Sequence, residues 1–249
     1  MSGHSKWASI KHKKAIVDSR RGQQFTKLAR AITVAARDGG GDPDTNAALG
    51  NAVQKARDAS MPKDNIESAI NKGAGEGADA AAIESVLYEG YGPGGVAILV
   101  EALTDNRNRT GADMRHAFSK HGGNLGEPGS VAYLFEKRGI VVVEAGAYSE
   151  DDLMVAIDAG AQDIAVDDDL YEIVTDPADL AAVRAALDAA EIRIESAELV
   201  QQPSTRVPVA EADAAKLMRL IETLEESDDT DAVHANFDVD ADVLERVAG

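Results

Sequence analysis

The sequence predicts an α+β chain of several domains, a helical domain first and two α/β sandwich domains after it. Three observations predict it. At 249 residues the chain exceeds the usual size of one domain. Apolar residues recur at helical spacing as far as about Gly73 and at strand spacing beyond it. Between Ile140 and Val200 the elements then follow in the order βαββαβ, which is the ferredoxin-like arrangement.

The first helix is expected over Arg20–Arg37, where Phe25, Leu28, Ala29, Ile32, Ala35 and Ala36 line one face. Gly39-Gly40-Gly41 stops it, because glycine relieves the left-handed conformation common after a helix end. Asp42-Pro43-Asp44 opens a second helix with Leu49, Val53 and Ala56 inward. Pro62 suits the first turn of a third, which carries Ile66, Ala69 and Ile70 and ends at Gly73. The run Gly73 to Ala78 is a linker by composition.

Strands are expected at Ile83–Glu89 and Val96–Ala102, joined by the turn Gly90 to Gly95. A helix over Thr110–Lys120 and a strand over Val131–Phe135 follow. The βαββαβ unit reads as strand Ile140–Glu144, helix Asp151–Ala159, strands Gln162–Val166 and Leu170–Thr175, helix Pro177–Ala190 and strand Arg193–Val200. A helix over Ala212–Glu226 and a strand over Val233–Val239 complete the chain. The pieces on either side of the unit, ββαβ and αβ, can close on each other. This predicts a helical domain at 1–77, a discontinuous α/β domain at 78–137 plus 204–249, and an inserted ferredoxin-like domain at 138–203.

Composition excludes whole classes of function. The chain contains no cysteine, which removes disulfides, thiolate metal sites and thiol nucleophiles. No run approaches the roughly 20 apolar residues that span a bilayer, so a cytoplasmic protein with no membrane partner is expected. His4, His12, His116, His121 and His234 have no zinc spacing, and Asp167-Asp168-Asp169 lacks the alternating ligands of a calcium loop, so no metal or cofactor is expected. Gly92-Pro93-Gly94-Gly95 lies between two strands and lacks the helix and Lys-Ser/Thr of a phosphate loop. No Gly-x-Ser-x-Gly elbow exists, and an enzyme is not expected.

Charge is distributed unequally. The net charge is −19, yet residues 1–37 hold nine Lys/Arg against one acid, Asp18. From Ile140 onward 28 acids face six bases. Such asymmetry separates a polyanion-binding part from a solvating one. On a helical wheel Arg20, Lys27, Arg30 and Arg37 fall within about 260° to 360°, and the core residues within about 80° to 160°. Lys6, Lys11, Lys13 and Lys14 precede that helix, with Trp7 placed to stack on an unpaired base or to anchor the arm. Lys6, Lys11, Lys13, Lys14, Arg20, Arg21, Lys27 and Arg30 are therefore the candidate phosphate contacts.

Arg107 and Arg109 form a second candidate. Asp105 to Thr110 lies between a strand and a helix, where free N–H groups and two arginines attract an anion. The same residues also suit a plain capped helix start, with Asn108 or Thr110 as the cap and the arginines paired to carboxylates. Lys120 and His121 can extend that surface.

Several blocks closely resemble the YebC/PmpR family. They include Gly3-His4-Ser5-Lys6-Trp7, Ile10-Lys11-His12-Lys13-Lys14, Arg21-Gly22, Gly40-Gly41-Asp42-Pro43 and Met61-Pro62-Lys63-Asp64-Asn65-Ile66. Further ones are Tyr88-Glu89-Gly90-Tyr91-Gly92-Pro93, Leu103 to Thr110 and Gly129-Ser130-Val131. They are dense from Gly3 to about Phe135; beyond Ile140 the likeness is one of element order. Gln23 stands where the family often has lysine. The resemblance implies three domains and no known catalytic activity. It also implies one of two targets. Bacterial members are generally described as probable transcriptional regulators that bind DNA. Others, with a mitochondrial translational activator among them, look like ribosome-associated factors that ease synthesis of proline-rich stretches and would meet rRNA or tRNA there. A third possibility, from the acidity alone, is a module that meets protein partners through its α/β domains.

Overall fold

The structure, a computed structural model, describes residues 18–75, 83–167, 169–240, 243–244 and 246, except the side chains of residues 18–20 and 167. It is an α+β chain in which helices come first and antiparallel sheets follow. Two compact units are present. One is Phe135–Gln202, and the other combines Ser2–Leu134 with Pro203–Gly249.

The larger unit begins with α1 (Asp18–Gly39), α2 (Ala47–Asp58) and α3 (Lys63–Ala74). Leu28, Ile32 and Ala36 of α1 share a core with Leu49, Val53 and Ala56 of α2 and with Ile66 and Ala69 of α3. The second helix starts later than expected. Asp42 folds a turn by accepting the Asp44 N–H, and Asn46 is the cap, its Oδ1 accepting the Leu49 N–H at 3.1 Å. The Asn46 amide also donates to Ala35 O and Gly40 O, both at 2.8 Å, which ties α2 to the end of α1. At Gly73, α1 and α3 approach so closely that a Cβ would run into the Thr33 carbonyl.

Strands β1 (Glu84–Tyr91) and β2 (Ala97–Thr104) pair antiparallel from Glu84↔Thr104 to Tyr91↔Ala97. The turn between them closes by a Gly92 N–H bond to Val96 O, with Gly94 and Gly95 both at φ 76°. Then come α4 (Arg107–Lys120) and the two-residue edge strand β3 (Asn124–Leu125). Beyond the smaller unit the chain returns with β8 (Val207–Pro208), α7 (Glu211–Glu225), β9 (Thr230–Ala235) and β10 (Phe237–Asp238). β9 pairs antiparallel with β2, giving the sheet order β3-β1-β2-β9. Helices α4 and α7 cover one face, and Ile98, Val100, Met114, Phe118, Leu217, Ile221 and Val233 form the core between.

The smaller unit comprises β4 (Phe135–Glu144), α5 (Met154–Asp158), β5 (Ala161–Asp167), β6 (Leu170–Thr175), α6 (Leu180–Ala189) and β7 (Ile194–Pro203). Its sheet order is β5-β6-β4-β7, with β6 antiparallel to both neighbours, as a ferredoxin-like unit requires. It is inserted in sequence between β3 and β8.

Three other departures from expectation have a clear local cause. The strand over Val131–Phe135 is instead a 3-10 turn at Ala132–Leu134. The buried Glu89 carboxylate accepts the N–H groups of Gly129, Val131 and Ala132 at 2.6 to 2.8 Å, so those amides cannot serve a ladder. Those bonds hold Glu89 below the usual carboxylate range, although its burial opposes them. The strand over Val233–Val239 breaks at buried Asn236, whose Oδ1 takes the Ala97 N–H while its own N–H returns to Ala97 O. The helix over Asp151–Ala159 shortens because Asp152 is held in a turn by Ser149, whose N–H and hydroxyl both donate to it.

Candidate nucleic-acid interface

The cationic side of α1 faces other parts of the same unit. Gln23 Nε2 donates to Glu226 O and Asp228 Oδ1, both at 2.7 Å. One turn on, Lys27 Nζ donates to Glu225 O at 2.5 Å. Arg30 Nη1 then reaches Leu103 O at 2.8 Å and forms an ion pair with Asp229 Oδ1 at 2.7 Å. At the end of the helix Arg37 pairs with Asp38 and donates to Ile83 O. The helix face that looks solvated on a wheel is therefore docked along Glu225–Asp229 and the end of β2.

Asp229 is where these contacts converge. Its Oδ2 accepts from Thr110 Oγ1 at 2.6 Å and from Arg109 Nη2 at 2.8 Å, while Oδ1 takes Arg30. Burial on its own would raise the Asp229 carboxyl. The hydrogen bonds from Arg109, Thr110 and Arg30 outweigh it and lower the group to about 2. Arg109 is raised in turn by its bonds to Asp229 and Asp105. One carboxylate so joins α1, the end of β2 and the first turn of α4.

The first turn of α4 holds its two arginines differently. Asn106, not Asn108 or Thr110, is the cap, its Oδ1 accepting the Arg109 N–H at 3.1 Å. The helix therefore starts at Arg107. Of the two readings of this segment, the geometry at Arg109 is that of a capped start with a paired arginine, since Asp105 and Asp229 both hold it. Arg107 is exposed, and no ion pair to it is present among the described residues.

The remaining candidates divide as follows. Lys6, Trp7, Lys11, Lys13 and Lys14 lie outside the described residues, as does the Arg20 side chain. Arg21 is exposed with its guanidinium 5.7 Å from the Phe25 ring centre. Lys27 and Arg30 have the partners given above. Beside them, α1, α3 and the loop after β2 enclose a cleft of about 650 Å³ that presents Thr26, Arg30, Asn65, Lys72 and Asp105. Sequence reasoning missed Asp229, whose only local signal is its place in Asp228-Asp229 directly after a helix. Among the described residues no cluster of His, Asp and Glu is placed to hold a metal, and no helix is long and apolar enough to cross a membrane.

Family models match both parts of the chain. The TACO1/YebC protein N-terminal domain matches residues 5–76, and the TACO1/YebC second and third domain matches residues 83–237. The chain belongs to the TACO1/YebC family. A relative from Rubrobacter xylanophilus is 54% identical over the whole of both chains and bears the description "Probable transcriptional regulatory protein". Relatives from Acidothermus cellulolyticus and Mycolicibacterium gilvum, at 53% and 52% identity over 99% of this chain and at least 99% of their own, bear the same description. The fold matches the crystal structure of a conserved hypothetical protein from Aquifex aeolicus. The TM-score is 0.80 and the identity 45%, over 91% of this chain and 93% of that one. Within the family, then, the relatives' descriptions name a regulatory role.

Proposed function

We propose that this family member is a non-enzymatic, cytoplasmic regulator of gene expression that binds duplex DNA through its N-terminal segment. The observation that carries the reading is the charge of residues 1–37, nine Lys/Arg against one acid in a chain of net charge −19. A polyanion bound by such a segment gives up its condensed counterions to solution, and the acidic remainder of the chain repels it. The description borne by the relatives supports the same reading.

The contacts proposed are Lys6, Lys11, Lys13, Lys14, Arg20 and Arg21, with Trp7 stacking or anchoring and Arg107 as a further cation. Lys27, Arg30 and Arg109 have partners within the fold, at Glu225, Leu103 and Asp229, and stand behind these as proposed contacts. Six phosphate contacts correspond to a slope of log K on log salt of about −5, or roughly a thousandfold loss between 50 and 200 mM. Anisotropy of a labelled 30-base-pair duplex across that range measures the slope, and ribosome co-sedimentation runs beside it. A chain lacking residues 1–17 should bind at least a hundredfold more weakly at 50 mM salt. Salt-independent binding, undiminished binding after the truncation, or association with ribosomes alone would refute the assignment.

A further inference from the structure

A second cationic surface lies on the larger unit. Arg115, His116, Ser119 and Lys120 are exposed on α4, whose opposite side buries Thr110, Met114, Ala117 and Phe118. On the neighbouring α7, Arg219 is exposed between buried Met218 and Leu220. The two helices meet where His121 Nε2 lies 3.0 Å from Thr223 Oγ1 and where Leu220 packs on Gly123. His121 is held below its ordinary value by burial first, and then by the positive charges of Lys120, Arg219 and His116. Those groups therefore share one locality. Asp113 is the exposed acid on the α4 face.

Among the described residues no carboxylate lies within ion-pair distance of Arg115, Lys120 or Arg219, as none does for exposed Lys137 or Arg206. What separates this cluster from a solvated helix surface is its position. Gln23, near the start of α1, is bonded to Glu226 O, and Glu226 follows Arg219 by seven residues. On α7 that is about 10 Å, or roughly three base pairs of duplex. The segment that carries the proposed N-terminal contacts thus joins the fold close to the cluster.

We propose that Arg115, His116 and Lys120 of α4, with Arg219 of α7, form a second contact to the phosphate backbone of the same DNA. The proposal rests on the N-terminal reading and extends it: the arm supplies one part of the footprint, and this helix pair supplies another on rigid structure. Phosphate contacts of this kind position a duplex without reading its sequence.

The test is the salt dependence of anisotropy with a labelled 30-base-pair duplex, using the full chain from 50 to 300 mM KCl. In the triple variant Arg115→Gln, Lys120→Gln, Arg219→Gln the slope should shrink by about 2 to 3, close to 0.9 for each phosphate lost. A control with the same loss of charge elsewhere, Lys137→Gln, Arg193→Gln, Arg206→Gln, should keep the wild-type slope. Arg115→Lys with Arg219→Lys should keep it too, because charge and not fork geometry carries such a contact. A triple variant with the control's slope overturns the second contact and leaves the N-terminal reading standing. Failure of the unmodified chain to bind duplex removes both. A slope change seen only with an RNA hairpin of equal length overturns the assignment to DNA.

Discussion

Asp229 combines an acid that is almost wholly buried with two guanidinium groups and two threonine hydroxyls within reach. Its folded value of about 2 lies below the roughly 3.9 of an unfolded aspartate, so at acid pH the unfolded chain binds the extra proton. The stabilisation is therefore complete above about pH 5 and is lost as pH falls through 4 toward 2. The shift corresponds to about 2 kcal/mol. Asp229→Asn should cost about that much in urea unfolding at pH 7, and the gap from the unmodified protein should halve by about pH 3. A gap independent of pH would show that the residue acts by shape alone. None of this was legible locally. Arg30 and Arg109 stand out in the sequence as cations, but their partner is 199 and 120 residues away. Nothing in one dimension distinguishes a cation aimed at phosphate from one aimed at a distant aspartate.

At the scale of elements, periodicity exposed what faces inward and was silent on what meets the outward face. The apolar stripe of α1 is legible because Leu28, Ile32 and Ala36 repeat at three to four residues, and they are the ones that pack on α2 and α3. The opposite side reads as solvent on a wheel, yet it docks on Glu225–Asp229, a segment that arrives only after the inserted unit. The strand expected at Val131–Phe135 failed for a related reason, since the distant Glu89 takes its amides. Glycines illustrate the same limit. Gly22 and Gly73 both sit inside helices, and helix propensity alone favours alanine at each by about 1 kcal/mol. At Gly22 an added methyl group meets nothing within 4 Å, whereas at Gly73 it meets the Thr33 carbonyl and, at 2.8 Å, the Ala36 methyl. Overpacking against backbone costs about 1 to 3 kcal/mol and should win at Gly73. Gly22→Ala should thus raise the thermal midpoint by a few degrees and Gly73→Ala lower it. A rise at both would mean that α1 and α3 separate at little cost.

For the whole molecule, the unequal charge and the insertion act together. The βαββαβ order was readable because each element is short and bounded by glycine or acidic turns, and the flanking pieces were then left with only each other to pair with. Leu134 O accepts both the N–H and the hydroxyl of Ser204, at 2.8 and 3.0 Å, so the chain leaves and re-enters the larger unit at one place. Residues 135–202 carry 17 acids and four bases, a net of −13, and without them the chain would stand at −6. Excising Phe135–Gln202 and bridging Leu134 to Pro203 with a short Gly-Ser linker should leave a unit that still unfolds cooperatively in urea, because its sheet and its two cores lie wholly outside the excised stretch. If DNA is held by the basic segment and repelled by the acidic body, the shortened chain should bind duplex several-fold more tightly at 50 mM salt. Screening reduces that repulsion once the Debye length falls below about 8 Å, so the two binding curves should converge near 300 mM. Weaker binding at every salt concentration would instead mean that the inserted unit makes contacts of its own with the nucleic acid.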